Sequence, residues 1–380
     1  MKQLFYKNML YGALMVLSLN VFSQSKATRE TKKIFPLADN GALYLNNKYG
    51  DIFINGWDKD SIKIIVDIEV KGKNLDKAKD LLNRITPKIL NTKKQVIVKS
   101  EISEKETSFF NKYFNKIDPF KNEKANTNIN YTIHLPRNAE LELLNKYGDV
   151  IISGWNGKLL ADVEHGDLRI IDTITQSKLA IKYGKLKANT LRQSSISAKG
   201  AKVFFDSAEV LKLKSDGSEI HINRVNELDI NSNKDDLEIN NINHVFGDVK
   251  YSKIVFNAVH SKVNLNLNLA ELKILQVNTV FPVINLHQSS SEVYINISKT
   301  NFNFSAELEQ GVLRIPKTMK NITSKLLDKK NKIRQIRANY GHLKTGIFNI
   351  TGYKGIIIFK ELQTTSNEKN SFVNSSVNNN

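Results

Sequence analysis

Two aspartates at matching positions have the spacing that comes closest to enzyme chemistry. Asp149 and Asp167 each follow a glycine and stand 18 residues apart in similar segments. If these segments stack as neighbouring strands, the carboxyl groups lie about 4.8 Å apart, which is near the separation that retaining glycosidases use. The next two positions of the series carry Lys185 and Lys202, however, and aspartate is an ordinary turn residue. We therefore expect no catalytic site here, and an envelope glycan-active enzyme on a β-helix scaffold stays only as the alternative function.

The remaining residues that could bind a metal or a cofactor lack the required spacing. No two of the seven histidines form an H-x-H or H-x-x-x-H pair. Asp216, Asp235 and Asp236 do not follow the nonapeptide pattern of calcium-binding β-rolls. The chain has no cysteine, which excludes disulfides, thiolate zinc sites and cysteine nucleophiles. We predict a protein without a cofactor that is not an enzyme.

A basic segment from Lys317 to Lys344 is the strongest candidate for binding. It contains nine lysines and arginines and one acid, Asp328, which gives a local net charge of +8. Apolar residues at Ile322 and Leu326 among others would make it amphipathic. The segment either faces a polyanion or is a solvated helix or loop that caps the fold. The predicted ligand-binding residues are Lys329, Lys330, Lys332, Arg334 and Arg337.

The charge of the whole chain favours an anionic partner. The formal net charge is +18, and without the two lysines of residues 1–23 it is +16. Such a surplus favours an anionic envelope glycan or lipopolysaccharide, and an envelope protein is the other partner class. Most of the lysines are scattered, which is also typical of a solubilising surface, and we do not expect nucleic acid.

The N-terminus has the layout of a secretory signal peptide. Lys2 and Lys7 precede an apolar stretch, residues 9–22, and Ser23-Gln24 is a plausible cleavage site. A retained N-terminal anchor is the alternative. No later segment approaches 18 consecutive apolar residues, so we expect no transmembrane span in the mature chain. The sequence therefore predicts an exported protein.

An internal repeat carries the structural information. Residues 47–57 read NKYGDIFINGW, residues 145–155 read NKYGDVIISGW, and eight of the eleven positions are identical. Weaker copies follow at steps of about 16 to 18 residues. We expect the glycine of each turn to take positive φ and the tryptophans to occupy equivalent places at a sheet edge. The predicted turn residues and their companions are Tyr49, Gly50, Asp51, Trp57, Tyr147, Gly148, Asp149, Trp155, Gly166 and Gly184.

The period of the apolar residues defines the fold class. Apolar residues alternate with polar ones around each turn, as in half-buried strands. We predict an all-β protein, a β-solenoid or β-roll of short strand-turn-strand coils, with a multi-hairpin β-sandwich as the alternative. The predicted organisation is a signal peptide (1–23), an N-terminal β segment (24–136) with a helix (73–86) and a polar insertion (101–127), solenoid repeats (137–361) and a disordered Ser/Asn-rich tail (362–380).

This order of elements resembles the bacterial "putative adhesin" β-solenoid family of exported envelope proteins. The resemblance rests on the first copy, Leu135-Pro136 before the second copy, and the short G-x-[IVL] coils at Gly166 and Gly184. It covers roughly residues 35–255 well, and its motifs are structural. It implies a non-enzymatic, adhesin-like protein that acts by binding a glycan, a polyanion or a protein. It also implies a location in the periplasm or at the outer cell surface of a Gram-negative bacterium.

Overall fold

The computed structural model describes residues 25–100, 127–343 and 345–361. These residues form 26 β-strands and one α-helix, so the predicted all-β class is confirmed. The chain divides into two compact units, residues 1–229 and 230–380. The predicted signal peptide, the predicted insertion up to residue 126 and the predicted tail lie outside the described residues.

The first unit contains fourteen strands and the helix. Their bounds are β1 (Ser25–Pro36), β2 (Ala42–Lys48), β3 (Ile52–Trp57), β4 (Ser61–Gly72), α1 (Leu75–Arg84), β5 (Lys88–Asn91), β6 (Gln95–Lys99), β7 (Thr127–Pro136), β8 (Glu140–Lys146), β9 (Val150–Ser153), β10 (Leu159–Glu164), β11 (Leu168–Ile170), β12 (Ile174–Lys182), β13 (Lys185–Lys199) and β14 (Lys202–Asp216). β15 (Glu219–Asn233) begins in this unit and ends in the second.

The strands of the first unit stack as parallel coils. β2, β8, β10, β12 and the second half of β13 pair in that order without a register shift. β3, β9, β11 and the first half of β13 form a second parallel series. Every second side chain points inward, and most of these are apolar, such as Leu141 and Leu143 on β8. Because consecutive coils pair in parallel, they are not the antiparallel hairpins of a multi-hairpin β-sandwich.

Antiparallel strands and the helix complete the first unit. β6 and β7 continue the two parallel series next to β2 and β3, and β4 then pairs antiparallel with β7 and β1 with β4. Asn74 caps α1 by accepting a hydrogen bond from the backbone N–H of Lys77 at 2.9 Å. The apolar stripe of α1 packs Ala78, Leu81 and Leu82 against β1 and β4.

The second unit contains the remaining strands. They are β16 (Asp236–Lys250), β17 (Lys253–Asn268), β18 (Glu271–Ile274), β19 (Val283–Ser289), β20 (Glu292–Asn296), β21 (Phe302–Glu309), β22 (Val312–Arg314), β23 (Lys320–Asp328), β24 (Ile333–Tyr340), β25 (Gly346–Tyr353) and β26 (Ile356–Lys360).

The coils of the second unit do not all stack in sequence order. β25 lies between β19 and β21, and β26 lies between β20 and β22, in parallel register throughout. The last coil among the described residues is therefore inserted between two coils that precede it. Phe348 of β25 stacks on Phe302 of β21 with ring centroids 3.8 Å apart, and both side chains are fully buried.

The basic segment is neither a helix nor a loop, and that expectation is wrong. β23 and β24 form an antiparallel β-hairpin, and β24 pairs antiparallel with β21 over its whole length. Nearly all residues of β23 are exposed on both faces, so the strand lacks the alternation from which a strand is predicted.

Candidate binding surface

Each coil turns at one residue in the left-handed conformation. In the first unit these corner residues include Tyr49, Tyr147, His165 and Tyr183, with φ between 55° and 67°. The backbone N–H of each one donates to a carbonyl in the next coil, as from Tyr147 to Glu164 at 3.0 Å. The assignment of positive φ to Gly50, Gly148 and Gly166 is therefore wrong, because the residue before each glycine adopts it.

The glycines are required by the distance between coils. A Cβ added to Gly148 would lie 2.0 Å from the carbonyl oxygen of Gly50, and one on Gly166 would lie 2.0 Å from that of Gly148. A Cβ added to Gly184 would likewise lie 2.0 Å from the carbonyl oxygen of Gly166. Any side chain in this column would collide with backbone.

The aspartates after these glycines have a structural role. Oδ1 of Asp51 accepts a hydrogen bond from the backbone N–H of Asp149, and Oδ1 of Asp149 accepts one from Asp167, both at 2.8 Å. Asp167 then accepts from the N–H of Lys185 at 2.9 Å. Each carboxylate thus ties one coil to the next, which supports the turn interpretation of Asp149 and Asp167.

The aromatic corner residues stack on one another. The ring of Tyr147 lies between those of Tyr49 and His165, with centroid distances of 5.4 Å and 5.1 Å, and Tyr183 continues the column. The rings are nearly parallel, so the faces between neighbours are covered and mainly ring edges meet solvent. A sugar ring that stacks on an aromatic face therefore has little access to this column.

The two repeat tryptophans differ in environment. Trp155 is fully buried, and its indole N–H donates to the carbonyl of Ala139 at 3.1 Å. Trp57 is only half-buried and stacks on His134. The expectation that both occupy equivalent places at a sheet edge is wrong, because only the Trp155 side chain enters the core.

A buried asparagine pair was missed in the sequence. Asn47 donates to Oδ1 of Asn145 at 3.1 Å, and Asn145 donates to the carbonyls of Gly50 and Gly148. Both side chains satisfy carbonyls of the turn that would otherwise be buried without a partner. The available signal was an identical asparagine at an inward-facing position of both repeat copies.

Charges on the coils of the first unit are repeatedly paired. Lys146 lies 2.7 Å from Glu164, and Lys202 lies 2.7 Å from Glu219, in each case across neighbouring coils. Further cross-coil pairs are Lys158–Glu140, Lys182–Asp162, Lys185–Asp167 and Lys212–Asp229. Each exposed pair adds little stability, but together they reduce the positive potential of this surface.

The hairpin β23–β24 lacks such compensation. Its turn carries Lys329, Lys330 and Lys332, and none of the three side chains is paired with a carboxylate of the described residues. The one acid, Asp328, instead accepts hydrogen bonds from the backbone N–H groups of Lys330 and Asn331 at 2.7 and 3.0 Å. These bonds, led by that from Asn331, hold the pKa of Asp328 below its usual value.

The two arginines of the predicted patch lie on opposite faces of the hairpin. Arg334 pairs in register with Leu308, whose side chain faces the core, and its Nη1 donates to Ser324 Oγ at 3.0 Å. Arg337 pairs in register with Ser305 on the outer face. The structure therefore brings the three lysines together at the turn and separates the arginines. Ile322, Leu326 and Leu327 are exposed beside them on β23.

The described residues contain no cluster of three or more histidines, cysteines, aspartates or glutamates that could bind a metal ion. Within the same residues, no helix has the length and hydropathy needed to cross a membrane.

The chain is similar to several solved structures, each at low sequence identity. No protein-family description and no curated protein matches it. The chain is similar to a putative cell adhesion protein from Clostridium sporogenes, with 13% identity, a TM-score of 0.18, and coverage of 88% of this chain and 100% of that one. It is also similar to a putative adhesin from Bacteroides fragilis, with 12% identity, a TM-score of 0.24, and coverage of 90% and 99%.

A third similar structure is a putative lipid binding protein from Parabacteroides distasonis. The identity is 7%, the TM-score is 0.30, and 88% of this chain and 97% of that one are covered. The adhesin names agree with the resemblance stated from the sequence.

Proposed function

We propose that this protein is a non-enzymatic, adhesin-like protein of the cell envelope that binds a polyanionic glycan through the hairpin β23–β24. The observation that carries the proposal is the unpaired charge of the turn lysines, Lys329, Lys330 and Lys332. Unpaired cations grouped on one element attract a polyanion more strongly than paired ones do. The predicted signal peptide supports export to the envelope.

The hairpin is also held in a fixed geometry, which lowers the entropic cost of binding. β24 pairs with β21 over eight residues. The turn is closed by Asp328, whose second oxygen accepts from the side-chain amide of Asn331 at 2.9 Å. The lysines are therefore presented by an ordered turn, and only their side chains must be ordered when a ligand binds.

The carboxylates favour binding over catalysis as the function. Asp149 and Asp167 each hold a backbone N–H of the next coil. A nucleophile or general acid in a glycosidase must instead reach the substrate. The hydrogen bonds of these two aspartates therefore support the binding function over the glycan-active enzyme.

The proposal is tested by retention of the mature protein on heparin and on immobilised lipopolysaccharide. Replacing Lys329, Lys330, Lys332 and Arg334 with glutamine should lower the salt concentration at elution and flatten the salt dependence of binding, because four charges are lost from one site. The matched control replaces four exposed lysines of the first unit with glutamine, namely Lys32, Lys33, Lys93 and Lys94. Equal losses of retention in both variants would show that total charge, and not the hairpin, determines binding.

A further inference from the structure

The outer face of the second unit is rich in side-chain amides where β24 meets the coils. Asn303 of β21 lies in register with Asn339 of β24, and Asn285 of β19 lies in register with Asn349 of β25. Residues directly opposite each other in a sheet share a face. These amides therefore line neighbouring rows on one surface.

A depression in this face is lined by an arginine and several side-chain amides. It has a volume of about 310 Å³. Arg337 lies between Ser305 of β21 and Thr323 of β23 in the register. Its guanidinium has no carboxylate or hydrogen-bond partner among the described residues. The outer-face residues that line the depression are Asn303, Ser305, Asn321, Arg337, Asn339, Ile347 and Asn349.

The amides beside Arg337 are held in position by one another. Asn321 donates to Oδ1 of Asn339 at 3.1 Å, and Asn339 donates to Oδ1 of Asn303 at 2.5 Å. A side-chain amide has two N–H donors and an oxygen that accepts twice. After these bonds Asn339 keeps one N–H and one lone pair for a ligand. Such a pair of groups suits a hydroxyl, which both donates and accepts.

The floor of the depression also has an apolar part. Ile347 lies in register with Asn303, and its side chain is 46% exposed. A pyranose ring presents C–H groups on its faces and hydroxyls at its rim. An exposed aliphatic side chain next to amides therefore offers complementary contacts to both.

We propose that this depression binds the carboxylate-bearing residue of an acidic saccharide. Arg337 binds the carboxylate through two parallel N–H donors, because the guanidinium fork matches the two oxygens of a planar carboxylate. Asn339 and Asn349 bind ring hydroxyls, and Ile347 contacts the C–H face. This inference rests on the proposed function and makes it more specific. Recognition of the sugar is assigned to the face of the sheet, and the turn lysines contribute a general electrostatic attraction for the polymer.

The inference is tested by calorimetric titration of the mature protein with trigalacturonate at about 0.15 M salt, where exposed charges more than about 8 Å apart are largely screened. The matched probe is the trigalacturonate methyl ester, which has the same rings without charge. We expect the acid to bind and the ester to bind at least about ten-fold more weakly, as loss of a charge-assisted pair predicts. Equal binding of acid and ester would overturn the assignment of Arg337 to a carboxylate.

Variants separate this site from the hairpin turn. Arg337→Gln should lower the affinity for the acid about ten-fold or more, and Arg337→Lys should lower it less, because lysine keeps the charge without the fork. Arg314→Gln, an exposed arginine of β22 outside the depression, should leave it unchanged. If Arg337→Gln binds trigalacturonate as the unaltered protein does, the site is refuted.

The two proposals fail in different ways. The triple replacement of Lys329, Lys330 and Lys332 with glutamine should weaken heparin retention and leave trigalacturonate affinity within about two-fold, because a short ligand in the depression gains little from distant charges. If the triple variant loses heparin retention as expected but the unaltered protein does not bind trigalacturonate, the depression alone is refuted as a binding site. Unchanged heparin retention would refute the role of the turn lysines alone.

Discussion

At each of these corners, one residue adopts the left-handed conformation and the glycine after it allows the close approach of a neighbouring coil. The residue before the glycine takes the left-handed conformation, even though it is tyrosine or histidine at four corners. That conformation costs a residue with a Cβ roughly 1 kcal/mol or more. Ring stacking between neighbouring corners, such as Tyr147 on His165, offsets part of this cost. The glycine that follows is present because backbone of a neighbouring coil, that of Gly148 in the case of Gly166, lies against its α-carbon.

Gly166→Ala should therefore destabilise the first unit by on the order of 1–3 kcal/mol, because the new methyl group meets the carbonyl oxygen of Gly148. Gly217→Ala is the matched control, since Gly217 has a φ of 60° but no atom within 4 Å of an added Cβ. It should cost only the strain of that conformation, about 1 kcal/mol. Urea unfolding followed by the fluorescence of buried Trp155 measures both. An equal cost in the two variants would contradict steric contact as the reason for Gly166.

At the scale of elements, the hairpin β23–β24 depends on its turn more than on burial. β23 contributes almost no buried side chain, whereas Ala338 of β24 is buried. Asp328 holds the turn by three hydrogen bonds, to the backbone of Lys330 and to the backbone and side chain of Asn331. Without these bonds, an edge strand with so little packing is expected to open locally.

Asp328→Ala should accordingly reduce the hydrogen-exchange protection of amides in β24 and β23. Asp236→Ala, at an exposed carboxylate of the same unit, is the control and should leave that protection unchanged. Because the folded pKa of Asp328 is lowered, its contribution is present above the ordinary aspartate range and is lost as the pH falls through the folded pKa. A hairpin equally protected in both variants would show that the turn does not limit opening.

The elements differ in how far the sequence predicts them. The coils of residues 137–229 follow from alternating apolar residues and regular turns, because both signals are local. The prediction of positive φ at Gly148 is wrong, because Tyr147 adopts that conformation. Gly148 is required instead by the close approach of Gly50, which depends on the stacking of coils and not on the local sequence. β23 could not be predicted, because a strand exposed on both faces has no burial pattern. The depression at Arg337 depends on strands brought together by that same pairing.

At the scale of the whole molecule, the positive charge is distributed unevenly. Lysines on the coils of the first unit are paired with carboxylates across the stack, as in Lys146 with Glu164. In the segment from Lys317 to Arg337, by contrast, Asp328 is the one acidic residue among the lysines and arginines. A net charge of +18 therefore says less about binding than the location of its unpaired part.

Because of its stacking order, the sheet of the second unit is continuous only when β25 and β26 are in place. His287 of β19 bonds to Thr351 of β25 across 64 residues, whereas the coils of Thr190 and Ser207 are joined across 17 residues and those of Asp149 and Asp167 across 18. The entropy of closing a loop grows only with the logarithm of its length, so such a pairing is tolerated. β21, and through it the hairpin, then depends on β25 for its parallel partner.

A chain that ends at residue 345 lacks β25 and β26 and should therefore expose β21. Phe302 and Phe304 lose the rings of Phe348 and Phe359, against which they pack at centroid distances of 3.8 and 5.1 Å. We expect chymotrypsin to cleave after Phe302 and Phe304 at least about ten-fold faster than in the full chain, because cleavage requires the open form and these contacts oppose opening. A chain that ends at Glu361 keeps both strands and the hydrogen bond from Tyr340 to Glu361, and it should resist cleavage like the full chain. Equal resistance of the shorter chain would show that β21 and the hairpin are stable without the inserted coil.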